Sequence, residues 1–172
     1  MANGQQPIVN MNNFSLRRAT EADIPIIRHL AEKIWWEHYP SIISEAQIGY
    51  MLELIYSDAA LRRQMEEEGQ EIWLPEKNGV ALGFLAVSKK GEGEYFLHKF
   101  YLDTREKGFG TIVFELLLAR YPALRSLRLR VNRRNFKSVN FYFKVGFRIE
   151  YCIDTPFGEG YVMDDFQMVY VV

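Results

Sequence analysis

Two spacings of apolar residues follow one another in the first part of the chain, and they predict a strand followed by helices. Residues 14–18 alternate between apolar and polar side chains, which predicts a short first strand. Apolar residues then recur at helical spacing up to about Trp36. Thr20 and Asp23 precede them with the spacing of a capping box, in which Thr20 caps the helix and the Asp23 carboxylate reaches back. A second helix is expected to begin near Ser44, and a more polar third helix follows it.

The rest of the chain changes to strands that are interrupted by two helices. Asn78 and Gly79 predict a hairpin turn after the second strand. Gly146 predicts the end of the last helix, because glycine readily adopts the backbone conformation that ends helices. Strand patterns cover residues 71–76, 81–88, 95–102, 127–132, 147–153 and 161–171, and helical patterns cover residues 112–118 and 135–145.

These elements fit one domain rather than two. Strands and helices are interleaved, and neither a linker nor an internal repeat separates them. The sequence therefore predicts a single α/β domain with a mixed sheet over residues 13–172, preceded by a polar tail over residues 1–12.

Composition and charge exclude several classes of protein. Hydrophobic residues make up 48% and charged residues 25%, which is typical of a globular domain and not of a disordered chain. With 21 basic and 22 acidic side chains, no overall charge favours nucleic acid or an anionic membrane. The single cysteine excludes an internal disulfide, and three scattered histidines give no reason to expect a metal.

Aromatic residues are unusually frequent, and the chain has no pattern that predicts secretion or membrane insertion. They reach 15% of the sequence and can either fill a core or line a pocket for a partly apolar ligand. No stretch approaches the roughly 18 apolar residues that span a bilayer, and residues 1–12 lack the pattern of a secretory signal. We therefore expect a soluble, cytoplasmic protein.

A glycine-rich turn between a predicted strand and a predicted helix is the first candidate for chemistry. It reads Arg105-x-x-Gly108-x-Gly110-Thr111, with Lys107 inside it. The first N–H groups of a helix lack backbone partners and carry partial positive charge, so such a turn is suited to phosphate. The turn matches neither a Walker A loop nor the dinucleotide fingerprint. Purely structural glycines remain an alternative.

A second pattern follows in the next strand and helix. The strand ends at Asn132, Asn135 and Ser138 begin the helix, and residues 141–147 read Phe-Tyr-Phe-Lys-Val-Gly-Phe. Together with the glycine turn, this pattern resembles the GNAT family of N-acetyltransferases, over almost the whole chain. The two motifs are specific in combination because they occur in the family's order and at its separation.

The resemblance implies a fold and an activity. The family has a mostly antiparallel, twisted sheet flanked by helices and splayed between its fourth and fifth strands. Its members use acetyl-coenzyme A as cosubstrate and need no metal, and they transfer acetyl directly to a primary amine of a small molecule or a peptide. Residues 98–102 and 160–166 are similar to a bacterial subgroup that includes polyamine acetylases. A polyamine is therefore one candidate acceptor.

The resemblance also implies which residues bind the coenzyme. In the family, free backbone groups at the end of the fourth strand hold the pantetheine arm, and the glycine turn binds the pyrophosphate. Here the loop before Arg105 is shorter and lacks the family's proline, which weakens the case for Arg105 more than for coenzyme binding. The implied coenzyme-binding residues are Phe100, Tyr101, Leu102, Arg105, Lys107, Gly108, Phe109, Gly110, Thr111, Asn132, Asn135 and Ser138.

Two residues are candidates for proton transfer. Tyr142 matches the family's tyrosine that protonates the departing sulfur, and its alternative role is packing on Phe147. His98 titrates in the useful range and is a candidate base, but a lone strand histidine is more often packed and hydrogen-bonded. Asp164 and Asp165 are further candidates to line the mouth of the acceptor site, although adjacent acids are usually solvated.

Three other features each have a functional and a structural interpretation. Trp35, Trp36 and Tyr39 match the wall of the family's acceptor site, and one of the two tryptophans is expected in the core. Cys152 is expected to be a buried, inert thiol rather than a nucleophile. The apolar end of the last strand, residues 167–172, predicts a possible edge for pairing in a homodimer.

A binding module for RNA is the competing class of function. Five arginines lie between residues 125 and 134, with Phe136 just beyond them. Basic side chains beside aromatic rings bind RNA through phosphate contacts and base stacking. The alternatives are arginines paired with acids, or arginines placed near the coenzyme phosphates. The near-zero net charge and the paired motifs favour the acetyltransferase.

Overall fold

The computed structural model describes residues 14–172, and the predicted tail over residues 1–12 lies outside them. The helices are α1 (Ile24–His38), α2 (Glu45–Tyr56), α3 (Asp58–Glu66), α4 (Phe109–Arg120) and α5 (Phe136–Lys144). The strands are β1 (Phe14–Arg18), β2 (Glu71–Lys77), β3 (Val80–Ala81), β4 (Gly83–Gly91), β5 (Glu94–Leu102), β6 (Ser126–Asn132), β7 (Arg148–Gly158) and β8 (Tyr161–Val171).

The strands form one mixed sheet in the order β1-β2-β4-β5-β6-β8-β7, with the short β3 paired only to β2. Neighbouring strands are antiparallel except β5 and β6, which run parallel. This arrangement confirms the predicted α/β fold with a mixed, mostly antiparallel sheet. The short β3 raises the number of every later strand by one. The fourth and fifth strands of the family that the sequence resembles therefore correspond to β5 and β6.

Two buried clusters cover the two faces of the sheet. Ile27 of α1 packs with Phe84 of β4 in one cluster. Val113 of α4 packs with Leu127 of β6 in the other. Leu85, the neighbour of Phe84, belongs to the second cluster because successive side chains of a strand point to opposite faces. The helices that bear the two sequence motifs therefore lie on the opposite face from α1 and α2.

The predicted caps position the helices that border the site. The Asp23 carboxylate accepts a hydrogen bond from the Thr20 backbone N–H at 2.8 Å, at the start of a short 3-10 turn that leads into α1. Ser44 caps α2. The Asn135 side chain accepts a hydrogen bond from the Ser138 backbone N–H at 3.2 Å and so caps α5. These caps satisfy N–H groups that a helix leaves unpaired.

Some predicted element boundaries are wrong. The predicted strand over residues 81–88 is divided at Leu82 into β3 and β4. α1 continues past Trp36 to His38. β7 continues past residue 153 to Gly158 because it is an edge strand, where mostly exposed residues such as Asp154 and Pro156 need no apolar pattern.

Two expectations about the last two strands are also wrong. Met168 in the middle of β8 pairs with Leu129 on one side and with Ile149 on the other. β8 is thus an inner strand for most of its length, and residues 167–172 do not form the predicted free edge. Cys152 is exposed on β7 rather than buried, because β7 is the outer strand of the sheet.

Candidate active site

The sheet splays open between β5 and β6. The parallel pairing of the two strands begins at Glu94 and Ser126 and ends at Leu97 and Leu129. Beyond that point β5 continues to Leu102 beside β4, and β6 continues to the end of its range beside β8. The backbone groups of β5 that face β6 therefore border a cleft instead of a partner strand. Unpaired backbone N–H and C=O groups are strong hydrogen-bonding sites for a ligand.

A β-bulge at His98 accounts for the splay. Ala86 of β4 lies opposite Lys99, whereas its neighbour Val87 lies opposite Leu97, so His98 is an extra residue in β5. A bulge bends its strand and increases the local twist. The bend carries the end of β5 away from β6, at the position where the parallel pairing stops.

The cleft has a volume of about 1040 Å³ and reaches both faces of the sheet. Trp36 lies outside it because it occupies the exposed side of α1, with 41% of its surface accessible. The turn residues Arg105, Lys107, Gly108 and Thr111 also lie outside its lining. The predicted site residues that line the cleft are Trp35, Tyr39, His98, Phe100, Tyr101, Leu102, Phe109, Gly110, Asn132, Asn135, Ser138 and Tyr142.

The two glycines of the turn have different roles. Gly108 caps α4 with a φ of +83°, a left-handed conformation that glycine adopts without strain. A side chain on Gly110 would bring its Cβ to 3.0 Å from Cε2 of Phe141, so Gly110 allows α4 to pack closely on α5. Phe109 between them is buried in the core and stacks near Phe14, with 5.0 Å between ring centroids. Gly110 therefore has a packing role as well as its place at the cleft.

Tyr142 is buried on α5 where it faces the cleft. Its ring lies 5.4 Å from that of Phe147 and 6.5 Å from that of Phe100, measured between centroids. Burial raises the pKa of the Tyr142 hydroxyl well above its usual value, so the group stays protonated at neutral pH. Tyr142 therefore packs on Phe147 and also lines the cleft, so the two predicted positions are compatible.

The polar residues at the end of β6 are tied into the fold. The Asn132 side chain donates to Asp164 Oδ1 at 2.8 Å and accepts from the Arg134 backbone N–H at 2.9 Å. Asn135 and Ser138 share the helix cap described above. These bonds shape the turn between β6 and α5 at the edge of the cleft.

An aromatic wall closes the side of the cleft next to α1. Trp35 stacks on Tyr39 with 4.4 Å between ring centroids. The Tyr39 hydroxyl lies 3.3 Å from the Tyr101 hydroxyl of β5. Burial raises the pKa of both tyrosines, so the wall is uncharged at neutral pH. The structure thus brings Trp35 and Tyr39 together with Tyr101 at one side of the cleft.

His98 is neutral and hydrogen-bonded. Its Nε2 atom lies 2.7 Å from the Ser88 hydroxyl of β4. Burial, and to a smaller extent the nearby positive charge of Lys99, lower the pKa of His98 to about 4. A group with so low a pKa is a poor proton acceptor at pH 7. The geometry therefore matches the packed, hydrogen-bonded alternative better than the catalytic one.

Comparison with known proteins decides the family. Residues 29–147 match the model of the "Acetyltransferase (GNAT) family", which covers more than half of the chain and both sequence motifs. The chain belongs to the GNAT acetyltransferase family. No curated protein matches the chain significantly.

Solved structures of other GNAT proteins share the fold at low sequence identity. The PaiA N-acetyltransferase of Thermoplasma acidophilum, solved in complex with coenzyme A, has a TM-score of 0.74 and 22% identity, over 92% of this chain and 99% of that one. A GCN5-related N-acetyltransferase of Rhodopseudomonas palustris has a TM-score of 0.73 and 16% identity, over 94% and 98%. A chimera of Vibrio cholerae spermidine N-acetyltransferase SpeG with hSSAT has a TM-score of 0.66 and 17% identity, over 92% and 95%.

The arginine-rich segment of this GNAT protein is largely paired with acids. Arg128 contacts Glu150 at 3.1 Å, and Arg134 approaches Asp164 at 3.9 Å. Arg133 forms an ion pair with Asp154. The segment therefore matches the ion-pair alternative rather than a free RNA-binding surface. Within residues 14–172, no helix is long and apolar enough to cross a membrane.

Lys99 is a residue of the site that sequence reasoning missed. It is only 6% exposed, and its Nζ donates to Gln64 Oε1 at 2.6 Å and to Gln70 Oε1 at 3.0 Å. Burial lowers the pKa of this amine to about 7. One signal is present in the sequence, a lysine inside a strongly apolar strand, but the two glutamines that hold it come from α3 and the loop after it.

Asp165 is the second residue whose environment the sequence did not reveal. It lines the cleft from β8 with only 7% of its surface exposed, and its Oδ1 atom has no hydrogen-bond partner within residues 14–172. Burial raises the pKa of this carboxyl to about 6. For Asp165 the structure matches the cleft-lining alternative rather than the solvated one.

Proposed function

We propose that this GNAT protein transfers the acetyl group of acetyl-coenzyme A directly to a primary amine of a small molecule or a peptide. The observation that carries the proposal is the unpaired edge of β5 beyond Leu97. This edge shares one cleft with the start of α4 and with the Tyr142 side chain. Backbone donors and a helix N-terminus stabilise developing negative charge, and a protonated phenol can protonate a leaving group, so these groups suit a thioester acyl transfer.

The cleft fits an extended thioester. Backbone groups of Phe100, Tyr101 and Leu102 are suited to the amides of the pantetheine arm and to the thioester carbonyl. The first N–H groups of α4, beside Gly110, are suited to the pyrophosphate because a helix N-terminus attracts anions. Arg105 and Lys107 are exposed in the turn and do not line the cleft. Their positive charges act on the coenzyme phosphates from a distance. The PaiA neighbour was solved in complex with coenzyme A, which supports coenzyme binding by a protein of this fold.

Tyr142 is proposed as the general acid. The amine nitrogen forms a bond to the acetyl carbon, the carbon–sulfur bond breaks, and the departing thiolate takes the hydroxyl proton of Tyr142. The raised pKa keeps the phenol protonated at neutral pH but makes it a weaker acid than in water. Transfer of its proton to the thiolate therefore requires that bound substrates displace water from the cleft, because desolvation raises the basicity of the thiolate as well. His98 stays a weaker candidate for the base because of its low pKa.

The acceptor is proposed to enter beside the aromatic wall of Trp35, Tyr39 and Tyr101. Aromatic faces attract alkylammonium groups, and Glu37 and Asp165 add negative charge to the lining. Polyamines are one acceptor class to test, because the SpeG neighbour is named for spermidine.

Acetyl-coenzyme A is expected to stabilise the protein against heat. A ligand present at 100 times its Kd stabilises the folded state by about 2.7 kcal/mol, which corresponds to roughly 5–10 °C for a protein of this size. A thermal melt with and without acetyl-coenzyme A measures this shift, and a mixed RNA sample provides the comparison. No shift with millimolar acetyl-coenzyme A, together with a shift in RNA, would contradict the proposed function and favour the RNA-binding alternative.

A further inference from the structure

The carboxylate of Asp165 is the one acid buried in the cleft whose oxygen has no partner among residues 14–172. Its neighbour Asp164 points the other way, where it accepts from Asn132 at 2.8 Å and approaches Arg134 at 3.9 Å. Alternation along β8 explains the difference, because successive side chains lie on opposite faces. Asp165 shares its face with Met163, which packs in the core beneath α1 and α2.

We propose that Asp165 is the residue that receives the acceptor, binding its ammonium group and taking one proton from it. This inference rests on the proposed acetyl transfer. It names a residue for the step that neither His98 nor Tyr142 performs, the conversion of an ammonium ion into a nucleophilic amine.

The position of Asp165 supports this role. It lies directly opposite Asn132, the last residue of β6, in the part of the sheet where β5 has left β6. The cleft that it lines also contains the aromatic wall and Tyr142. Asp165 is close enough to Tyr39 for its charge to raise the pKa of that hydroxyl. An ammonium group bound at Asp165 therefore lies beside the wall proposed for the acceptor.

The surrounding charges leave this carboxylate available. Arg130 of β6 donates to Thr155 at 3.3 Å, and Arg133 after β6 is paired with Asp154 of β7. These two arginines lower the pKa of Asp165, while Asp164 and Asp154 raise it, and burial is the largest influence. Neither arginine hydrogen-bonds to Asp165, so one buried oxygen of this carboxylate has no partner among residues 14–172.

The proton transfers balance with Asp165, Tyr142 and solvent water. Asp165 takes one proton from the ammonium ion and leaves a neutral amine. The amine nitrogen bonds to the acetyl carbon and the carbon–sulfur bond breaks, while Tyr142 gives its proton to the sulfur. The nitrogen then loses its surplus proton, which restores Tyr142, and Asp165 releases its own proton to water.

An unpaired buried carboxylate destabilises a folded protein. A stability measurement therefore distinguishes a catalytic role of Asp165 from a structural one. Because the pKa of Asp165 is raised to about 6 on folding, its charged form is disfavoured in the folded state above that pH. Asp165→Asn is therefore expected to raise the melting temperature by roughly 5 °C at pH 8. This gain should become small near pH 4, where the carboxyl is protonated in the folded protein and about half protonated in the unfolded chain. A residue kept for stability would give the opposite sign.

The test compares Asp165→Asn with Glu115→Gln, which changes an exposed acid on α4 that lies outside the cleft lining. We expect Asp165→Asn to lower kcat/KM for the amine at least about 100-fold and to remove the rise of kcat/KM with pH near 6. Asp165→Glu should recover part of the activity, and Glu115→Gln should stay near wild type. The melting shift with acetyl-coenzyme A should persist in every variant, which shows that each is folded and binds the coenzyme.

Two outcomes are decisive and distinguishable. If Asp165→Asn transfers acetyl as fast as wild type, with the same pH profile, the role of Asp165 is overturned and the proposed function stands. If the wild-type protein transfers acetyl to no amine in a panel of polyamines, amino acids, aminoglycosides and peptides, the proposed function is overturned together with this inference.

Discussion

Tyr142→Phe is expected to lower kcat about 100-fold, the lower end of what a positioned general acid contributes, while the Kd for acetyl-coenzyme A changes less than about threefold. The phenylalanine keeps the ring contacts with Phe147 and Phe100, so packing is preserved and only the hydroxyl is lost. Without that proton the thiolate departs unprotonated, which slows the breaking of the carbon–sulfur bond. Steady-state rates at saturating acetyl-coenzyme A and amine measure the effect.

Tyr170→Phe is the matched control for this prediction. Tyr170 packs on the same Phe147 ring, with 5.7 Å between centroids, but it lies on β8 outside the cleft lining. Removing its hydroxyl should leave kcat near the wild-type value. A kcat for Tyr142→Phe that equals that of Tyr170→Phe would remove Tyr142 from the acid role.

The free energy of unfolding is expected to rise by about 2 kcal/mol between pH 7 and pH 9 because of Lys99. In the folded protein, burial lowers the pKa of Lys99 to about 7, whereas the unfolded chain keeps the usual value of about 10.5. Between these values the unfolded chain binds more protons, so stability increases with pH. The gain is complete only near pH 10.5, but above about pH 10 the buried tyrosines with raised pKa oppose it.

Chemical denaturation of wild type and Lys99→Met at several pH values measures this slope. The variant removes the titrating amine, and we expect its stability to be nearly constant from pH 7 to pH 9. Its absolute stability is a separate quantity, because the loss of the amine leaves the Gln64 and Gln70 oxygens without their donor. A slope that persists in Lys99→Met would assign the pH dependence to another group.

The sequence predicts the local features of the site well because short-range chemistry determines them. Thr20 with Asp23 and Asn135 with Ser138 occupy cap positions whose bonds span three residues. The glycine turn precedes α4 as expected. Gly108, at the N-cap of α4, has the left-handed backbone conformation that this turn requires. Features of this kind depend on neighbours in the chain, so spacing alone reveals them.

The sequence predicts the environments of individual side chains poorly because distant elements create them. The bulge at His98 changes which residues share a face of β5, and it has no local sequence signal. Lys99 is buried because Gln64 and Gln70 cover it, and Asp165 is buried because α1 and α2 close over its face. Trp36 falls outside the cleft because α1 turns its neighbour Trp35 inward instead.

The measurement that tests the central claim most directly is amide hydrogen exchange with and without saturating acetyl-coenzyme A. We claim that the open edge of β5 beyond Leu97 and the first turn of α4 hold the cosubstrate. Exchange in peptides that cover residues 98–102 and 109–112 should therefore slow on binding, while exchange in the edge strand β7 should stay unchanged. Binding that leaves both peptides unaffected and slows exchange elsewhere would contradict the account.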